Sequence, residues 1–333
     1  MRCFWDPRQL AHAPRIEMHN GRIEPCAETP ARAQSILDAV GPTELPNDHG
    51  EEPILRVHPK PYVDFLKSAH KDWLAAGREG DALPYAFPVA RRRTVDLNRI
   101  DARLGRYSYD TCTPIADGTW TSAYWNVQTA LSALDAVIGG DRSAFALCRP
   151  PGHHCGADYM GGYCYLNSAA IAAEAAVSAG KRVAILDIDY HHGNGTQDIF
   201  YARGDVFFAS IHADPRTDYP FYWGHADETG EGEGKGATLN LPLPRGTTVA
   251  DFERALDQAL ERIASFAPDL LICSYGADTF AGDPISYFLI DTSDYPLLAR
   301  RVASLAVPTL IVMEGGYAVN ALGRNVAAFL SGF

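Results

Sequence analysis

The chain is short of basic residues, has no CxxC pair and contains no apolar run long enough to cross a bilayer. Lys and Arg number 29 against 41 Asp and Glu, a net charge of −12. Nucleic-acid binding needs a clustered basic surface, so no nucleic-acid partner is expected. An acidic surface instead suits a small cationic substrate, whose local concentration it raises. The seven cysteines (Cys3, Cys26, Cys112, Cys148, Cys155, Cys164 and Cys273) are odd in number and irregularly spaced. They read as thiols of a reduced, cytoplasmic protein. The opening Met1-Arg2-Cys3-Phe4-Trp5-Asp6 lacks the apolar core of a signal peptide, and no membrane partner is expected. No internal repeat and no Pro/Gly linker divides the chain, which predicts a single domain over 1–333.

What is present is enough apolar material, 47% of residues, for a substantial core. Short apolar runs at Ser143–Cys148, Val183–Asp189, Asp205–His212, Leu270–Tyr275 and Thr309–Met313 read as buried strands. Between them, Asn167–Ala179 and Val249–Phe266 read as helices, the first closed by Gly180 and the second opened by Asp251 and followed by Pro268. This alternation predicts an α/β fold with a parallel sheet flanked by helices on both faces. Gly77–Gly118, which includes Arg91-Arg92-Arg93, and Ala213–Gly236 read as long loops, and loops of that length in a compact domain are usually functional.

The chemistry gathers at strand ends, where open α/β sheets place their sites. Val183–Leu186 runs into Asp187-Ile188-Asp189-Tyr190-His191-His192-Gly193. Strand alternation would point Asp187, Asp189 and His191 the same way. A second island, Ser274-Tyr275-Gly276-Ala277-Asp278, adds another carboxylate. Two Asp and one His leave an open coordination position, as a catalytic zinc requires, although the set also tolerates Fe²⁺ or Co²⁺. A third island, Arg149-Pro150-Pro151-Gly152-His153-His154-Cys155-Gly156, holds two imidazoles in a turn, suited to proton transfer. A fourth, Met313-Glu314-Gly315-Gly316-Tyr317, brings a phenol that could donate to an oxyanion.

These pieces resemble the zinc-dependent histone deacetylase superfamily, which has the arginase–deacetylase fold. The matching stretches are RPPGHHCG at 149–156, GGYCYLNSAA at 161–170, LDIDYHHGNGTQDIF at 186–200, SIH at 210–212, GADTFAGDP at 276–284 and EGGY at 314–317. DPISYF at 283–288, RGDVFFASIHADP at 203–215 and the 77–118 insertion are similar to the bacterial acetylpolyamine amidohydrolases. The resemblance implies a zinc-dependent deacetylase that removes acetyl or short acyl groups from acetylated polyamines or diamines, with acetyl-lysine peptides or proteins as the alternative substrates. A metal-bound water would be the attacking group. Zinc would sit on Asp189, His191 and Asp278. His153 and His154 would be the tandem histidines, with His154 the general base and acid. Asp187 would stand behind His153, Asn194 behind His154, and Tyr317 would bind the substrate carbonyl. Potassium would be held by Asp187, the carbonyls of Asp189, His191 and Ile211, and the Ser210 hydroxyl. A second monovalent ion would use carbonyls at Phe200, Arg203 and Val206. Tyr163 beside Gly162, Tyr219 and Ile285 would form a narrow substrate channel, and the insertion would cross to a second copy in a homodimer.

Candidate rim acids are Asp101, Asp110, Asp117, Asp214 and Asp218, whereas 99–118 contains no Glu and adds Arg99, Arg103 and Arg106. A binuclear ureohydrolase on the same fold would need bridging carboxylates that these islands do not offer. A catalytically dead scaffold would not carry the complete set.

Overall fold

The computed structural model describes residues 1–89, 95 and 97–333; Arg91-Arg92-Arg93 of the insertion lie outside the described residues. Nine strands are found among the described residues: β1 Arg2–Phe4, β2 Ile16–His19, β3 Arg22–Pro25, β4 Ser143–Ala146, β5 Val183–Asp187, β6 Val206–Ala213, β7 Thr238–Leu243, β8 Leu270–Tyr275 and β9 Thr309–Met313. Seven form one sheet in the order β1-β4-β9-β8-β5-β6-β7. Every pairing in it is parallel. The remaining two, β2 and β3, make a separate antiparallel hairpin.

The central strands are buried on both faces, which is why they read as unbroken apolar runs. Alternation sends Val183 and Ile185 into the core on one side, with Leu131 and Leu134 of the helix Thr119–Ile138. Ala184 and Leu186 enter the other core, with Leu256 and Ile263 of the helix Val249–Phe266. That helix begins with a capping box between Thr248 and Asp251, a two-way exchange that satisfies its otherwise unpaired first amides. The Ser168–Ser178 helix is capped by the Asn167 side chain accepting from Ala170 N at 2.9 Å. Its buried Ala169, Ala170, Ala172, Ala173 and Ala176 bring little bulk between its backbone and the neighbouring elements.

Sheet order decides where the chemistry goes. β4, β9, β8 and β5 are consecutive neighbours, so the four polar islands at their carboxyl ends lie side by side. Two expectations need correction. Strand β5 ends at Asp187, so Asp189 and His191 lie in the turn beyond it, outside strand alternation. The stretch 77–118 is also not loop throughout, because Ile100–Arg106 is helical. Asp101 in its first turn and Arg103 and Arg106 in its last complement the helix dipole, and Ile100 and Leu104 are buried. Seven residues span too few turns to display a period among so many prolines.

Candidate active site

Asp189 and Asp278 are fully buried, and His191 exposes 12% of its side chain. One potential ligand atom from each lies within 4.8 Å of the others. His191 Nδ1 is 3.0 Å from Asp278 Oδ2 and 3.4 Å from Asp189 Oδ1. Burial, and behind it the Asp189 charge, pushes Asp278 up to about 7. Burial also opposes ionisation of Asp189, but His153 and His191 outweigh it and hold that carboxyl below the usual range. Two carboxylates packed together away from water are costly unless a cation joins them. The surrounding backbone makes room for such an ion. A Cβ at Gly315 would lie 2.5 Å from an oxygen of Asp189 and 2.5 Å from one of Asp278, and one at Gly276 would strike the same two carboxylates. Donor types, spacing and glycine cradle therefore fit a divalent metal. Gly315→Ala is expected to weaken divalent-ion affinity on the order of 10–100-fold, read by titration of the metal-free protein. Affinity equal to wild type would show that the cradle tolerates the methyl group.

Asp187 turns away from this trio. Its Oδ2 is 3.0 Å from His153 Nδ1, and its Oδ1 accepts from Asp189 N at 3.1 Å. Burial would strip the charge from His153, but Asp189 and Asp187 outweigh it and hold the imidazolium up to about 10. His154 has a different environment. Its Nδ1 is 2.7 Å from Asn194 Oδ1, a neutral acceptor, which leaves Nε2 free to take a proton. Burial first, then the charges of His153 and His191, drive its pKa well below that of an ordinary histidine. The two rings, 4.0 Å apart between centroids, thus differ in charge as their partners dictate.

Several supports went unread in the sequence. Glu314 is buried and accepts from Gly152 N at 2.7 Å and His153 N at 3.1 Å, which pins the histidine turn. Asp283 accepts from Tyr317 N at 2.6 Å and Ala318 N at 3.1 Å. Arg32 lies 4.8 Å above the Tyr317 ring and donates to the carbonyls of Gly316 and Glu314, each at 2.6 Å. Its charge is matched by Glu28 at 2.8 Å, which also accepts from Arg149 at 2.9 Å. Glu28 and Arg32 stand four residues apart, a spacing that reads equally well as a surface helix pair. Their burial is a tertiary fact.

His154, His191 and Tyr317 meet at a cavity of about 430 Å³. Gly162, Tyr163, Tyr219 and Ile285 line it. Tyr163 packs against Tyr317 with centroids 5.5 Å apart, and Tyr219 meets the edge of His154 at 5.1 Å. Asn194 Oδ1 also accepts from Tyr109 OH at 3.2 Å, and the Tyr109 and Tyr219 hydroxyls touch. The structure does not bring Asp101 to this cavity. It is buried between Arg78 at 2.8 Å and Arg99 at 2.7 Å. Asp110 stands behind the wall, accepting from Gly162 N at 2.6 Å and Tyr219 OH at 2.8 Å. Asp117 faces His70 and Asp214 pairs with Arg216. Asp218 does line the cavity, paired with Arg245. Ser210, next to Asp187 in the sheet, holds His212 Nδ1 at 2.8 Å; Ile211 is buried in β6. The Phe200 carbonyl accepts from Arg203 N at 2.9 Å, and Val206 opens β6.

A family model described as the histone deacetylase domain matches residues 21–333. The chain belongs to the histone deacetylase family. Acetylpolyamine amidohydrolase 2 of Pseudomonas aeruginosa is 50% identical over 99% of this chain and 97% of its own length. The acetylpolyamine amidohydrolase of Mycoplana ramosa is 44% identical over 99% of this chain and 98% of that protein. A crystal structure of the acetylpolyamine aminohydrolase from Burkholderia pseudomallei superposes with a TM-score of 0.96 at 41% identity, covering 100% of this chain and 98% of that one. The sheet described above is thus the arginase–deacetylase fold of this family. Among the described residues, no helix is long and apolar enough to cross a membrane.

Proposed function

We propose that this member of the family hydrolyses the amide of acetylated polyamines or diamines, releasing a short acyl group. The observation that carries the reading is the convergence of Asp189, His191 and Asp278 with a neutral imidazole and a phenol at one tyrosine-walled cavity. Relatives named for acetylpolyamine hydrolysis, at 44–50% identity, favour an acetylated amine over a protein tail.

Asp189, His191 and Asp278 would hold the divalent ion, with Zn²⁺ the first candidate and Fe²⁺ or Co²⁺ compatible with the same donors. When bound, such an ion polarises the amide carbonyl and acidifies a water. His154 Nε2 takes the proton of the attacking water and returns it to the departing amine nitrogen. His153, whose charge Asp189 and Asp187 favour, lends positive charge beside the developing oxyanion. Tyr317 donates its hydroxyl hydrogen to that oxygen. Tyr163, Gly162, Tyr219 and Ile285 hold the alkyl chain in extended form and keep bulk water out.

The same reading assigns a potassium ion to Asp187, the carbonyls of Asp189, His191 and Ile211, and the Ser210 hydroxyl. A second monovalent ion goes to the carbonyls of Phe200, Arg203 and Val206. The chain acts as one deacetylase domain over 1–333, in the cytoplasm, in keeping with seven unpaired cysteines. A homodimer through 77–118 is supported by Tyr85 and Val89, which expose 72% and 68% of their surface there.

The test is a panel of acetylputrescine, acetylcadaverine and an acetyl-lysine peptide, assayed on protein reconstituted with each metal and analysed for metal content. Higher kcat/KM on the acetylated diamines, with about one divalent ion per chain, is the expected result. Preference for the peptide would move the assignment to lysine deacetylation, and absence of turnover on all three would reject amide hydrolysis.

A further inference from the structure

We propose that Glu24, on the hairpin near the amino terminus, selects the cationic substrate by receiving its distal ammonium at the cavity mouth. The proposal rests on the amide-hydrolysis reading and names the specificity residue of that same site. Among the described residues, the insertion places no carboxylate in the lining; Asp101, Asp110 and Asp117 are directed elsewhere. Only Glu24 and Asp218 supply carboxylates to the lining among the described residues. Asp218 is already committed, with Arg245 at 2.9 Å and the Tyr190 hydroxyl at 2.9 Å. Arg245, the lining cation, is in turn occupied by Asp218 and stacked 3.9 Å from the Tyr287 ring.

Glu24 is different. It is exposed and has no ion-pair partner among the described residues. Hairpin register sets it directly opposite Glu17. Like charges facing each other across a strand pair are destabilising, so this arrangement costs the hairpin stability. The two acids have separate surroundings. Glu17 is drawn inward, accepting from the Tyr163 hydroxyl at 3.1 Å and from Ala27 N at 3.1 Å, and so braces the channel wall. Glu24 is left at the opening beside His19 and Asn20. The neighbouring Arg22, on the same face of the hairpin, is not part of the lining. An amine whose amide lies between His154 and Tyr317 would carry its far end past Tyr163 and Tyr219 towards this carboxylate. The aromatic mouth, Phe221 and Tyr287, adds ring faces that attract the same cation.

The experiment compares acetylputrescine with N-pentylacetamide, an uncharged amide of the same length, on metal-reconstituted full-length enzyme. In Glu24→Gln the ratio of kcat/KM for the charged over the uncharged amide is expected to fall about five- to tenfold, with the loss in KM for the cation. Glu24→Lys should lower the ratio further, and added salt should shrink the wild-type preference. A ratio unchanged in both variants overturns the proposal while leaving amide hydrolysis intact. A wild-type enzyme that cleaves neither amide overturns both readings.

Discussion

His154→Ala is expected to lower kcat by about 10²–10⁴-fold while the metal content stays at the wild-type level. The side chain pairs with no carboxylate: its Nδ1 is taken by the neutral Asn194, its ring packs on His153, whose own partner is Asp187, and it lines the cavity. Removing it therefore deletes a proton acceptor without unpairing a buried charge. The pH profile should carry the same signature. Burial and the charges of His153 and His191 depress the pKa of His154. A base works only when neutral, so turnover is present above the depressed pKa and is lost as pH falls through it. The acid limb belongs below the ordinary histidine range, and the residual activity of the alanine variant should lack it. A variant that keeps a tenth or more of wild-type turnover, or the same acid limb, would assign the proton transfer elsewhere.

Tyr317→Phe is expected to lower turnover by roughly two to three orders of magnitude, the cost of about 3–4 kcal/mol when one oxyanion donor is lost. The drop should appear in kcat rather than KM, because the hydroxyl matters most when charge develops on the carbonyl oxygen. Burial holds the phenol pKa well above its usual value, although Arg32 works against it, so the donor stays protonated throughout the working range. The ring is also tightly placed. Asp283 holds its backbone amide, and Arg32 covers its face. Phenylalanine keeps those contacts, which makes the substitution a test of the hydroxyl alone. Near-wild-type turnover in the variant would remove Tyr317 from the chemistry.

Both predictions rest on residues that could be read from the chain. Each sits just past an apolar run: His154 follows Ser143–Cys148, of which Ser143–Ala146 is strand, and Tyr317 follows Thr309–Met313, a strand with those same limits. What could not be read is how neighbouring side chains spend one another's charge. Asp101 looked like a rim carboxylate in a polar stretch, yet Arg78, 23 residues away, and Arg99 bury it. Glu24 belongs to none of the sequence islands, and only the pairing of its hairpin and the position of that hairpin beside Tyr163 bring it to the mouth.

By itself the sequence determined the parallel sheet, the strand ends that carry chemistry, and the kinds of donor gathered there. Burial on both faces demands continuous apolar runs, and the polar residues that end them are local signals. Tertiary structure alone decided which carboxylates lie packed together, which brace a backbone amide and which face the opening. Those roles depend on strand order, and on arginines and amides brought from distant parts of the chain, that set the surroundings of each buried charge.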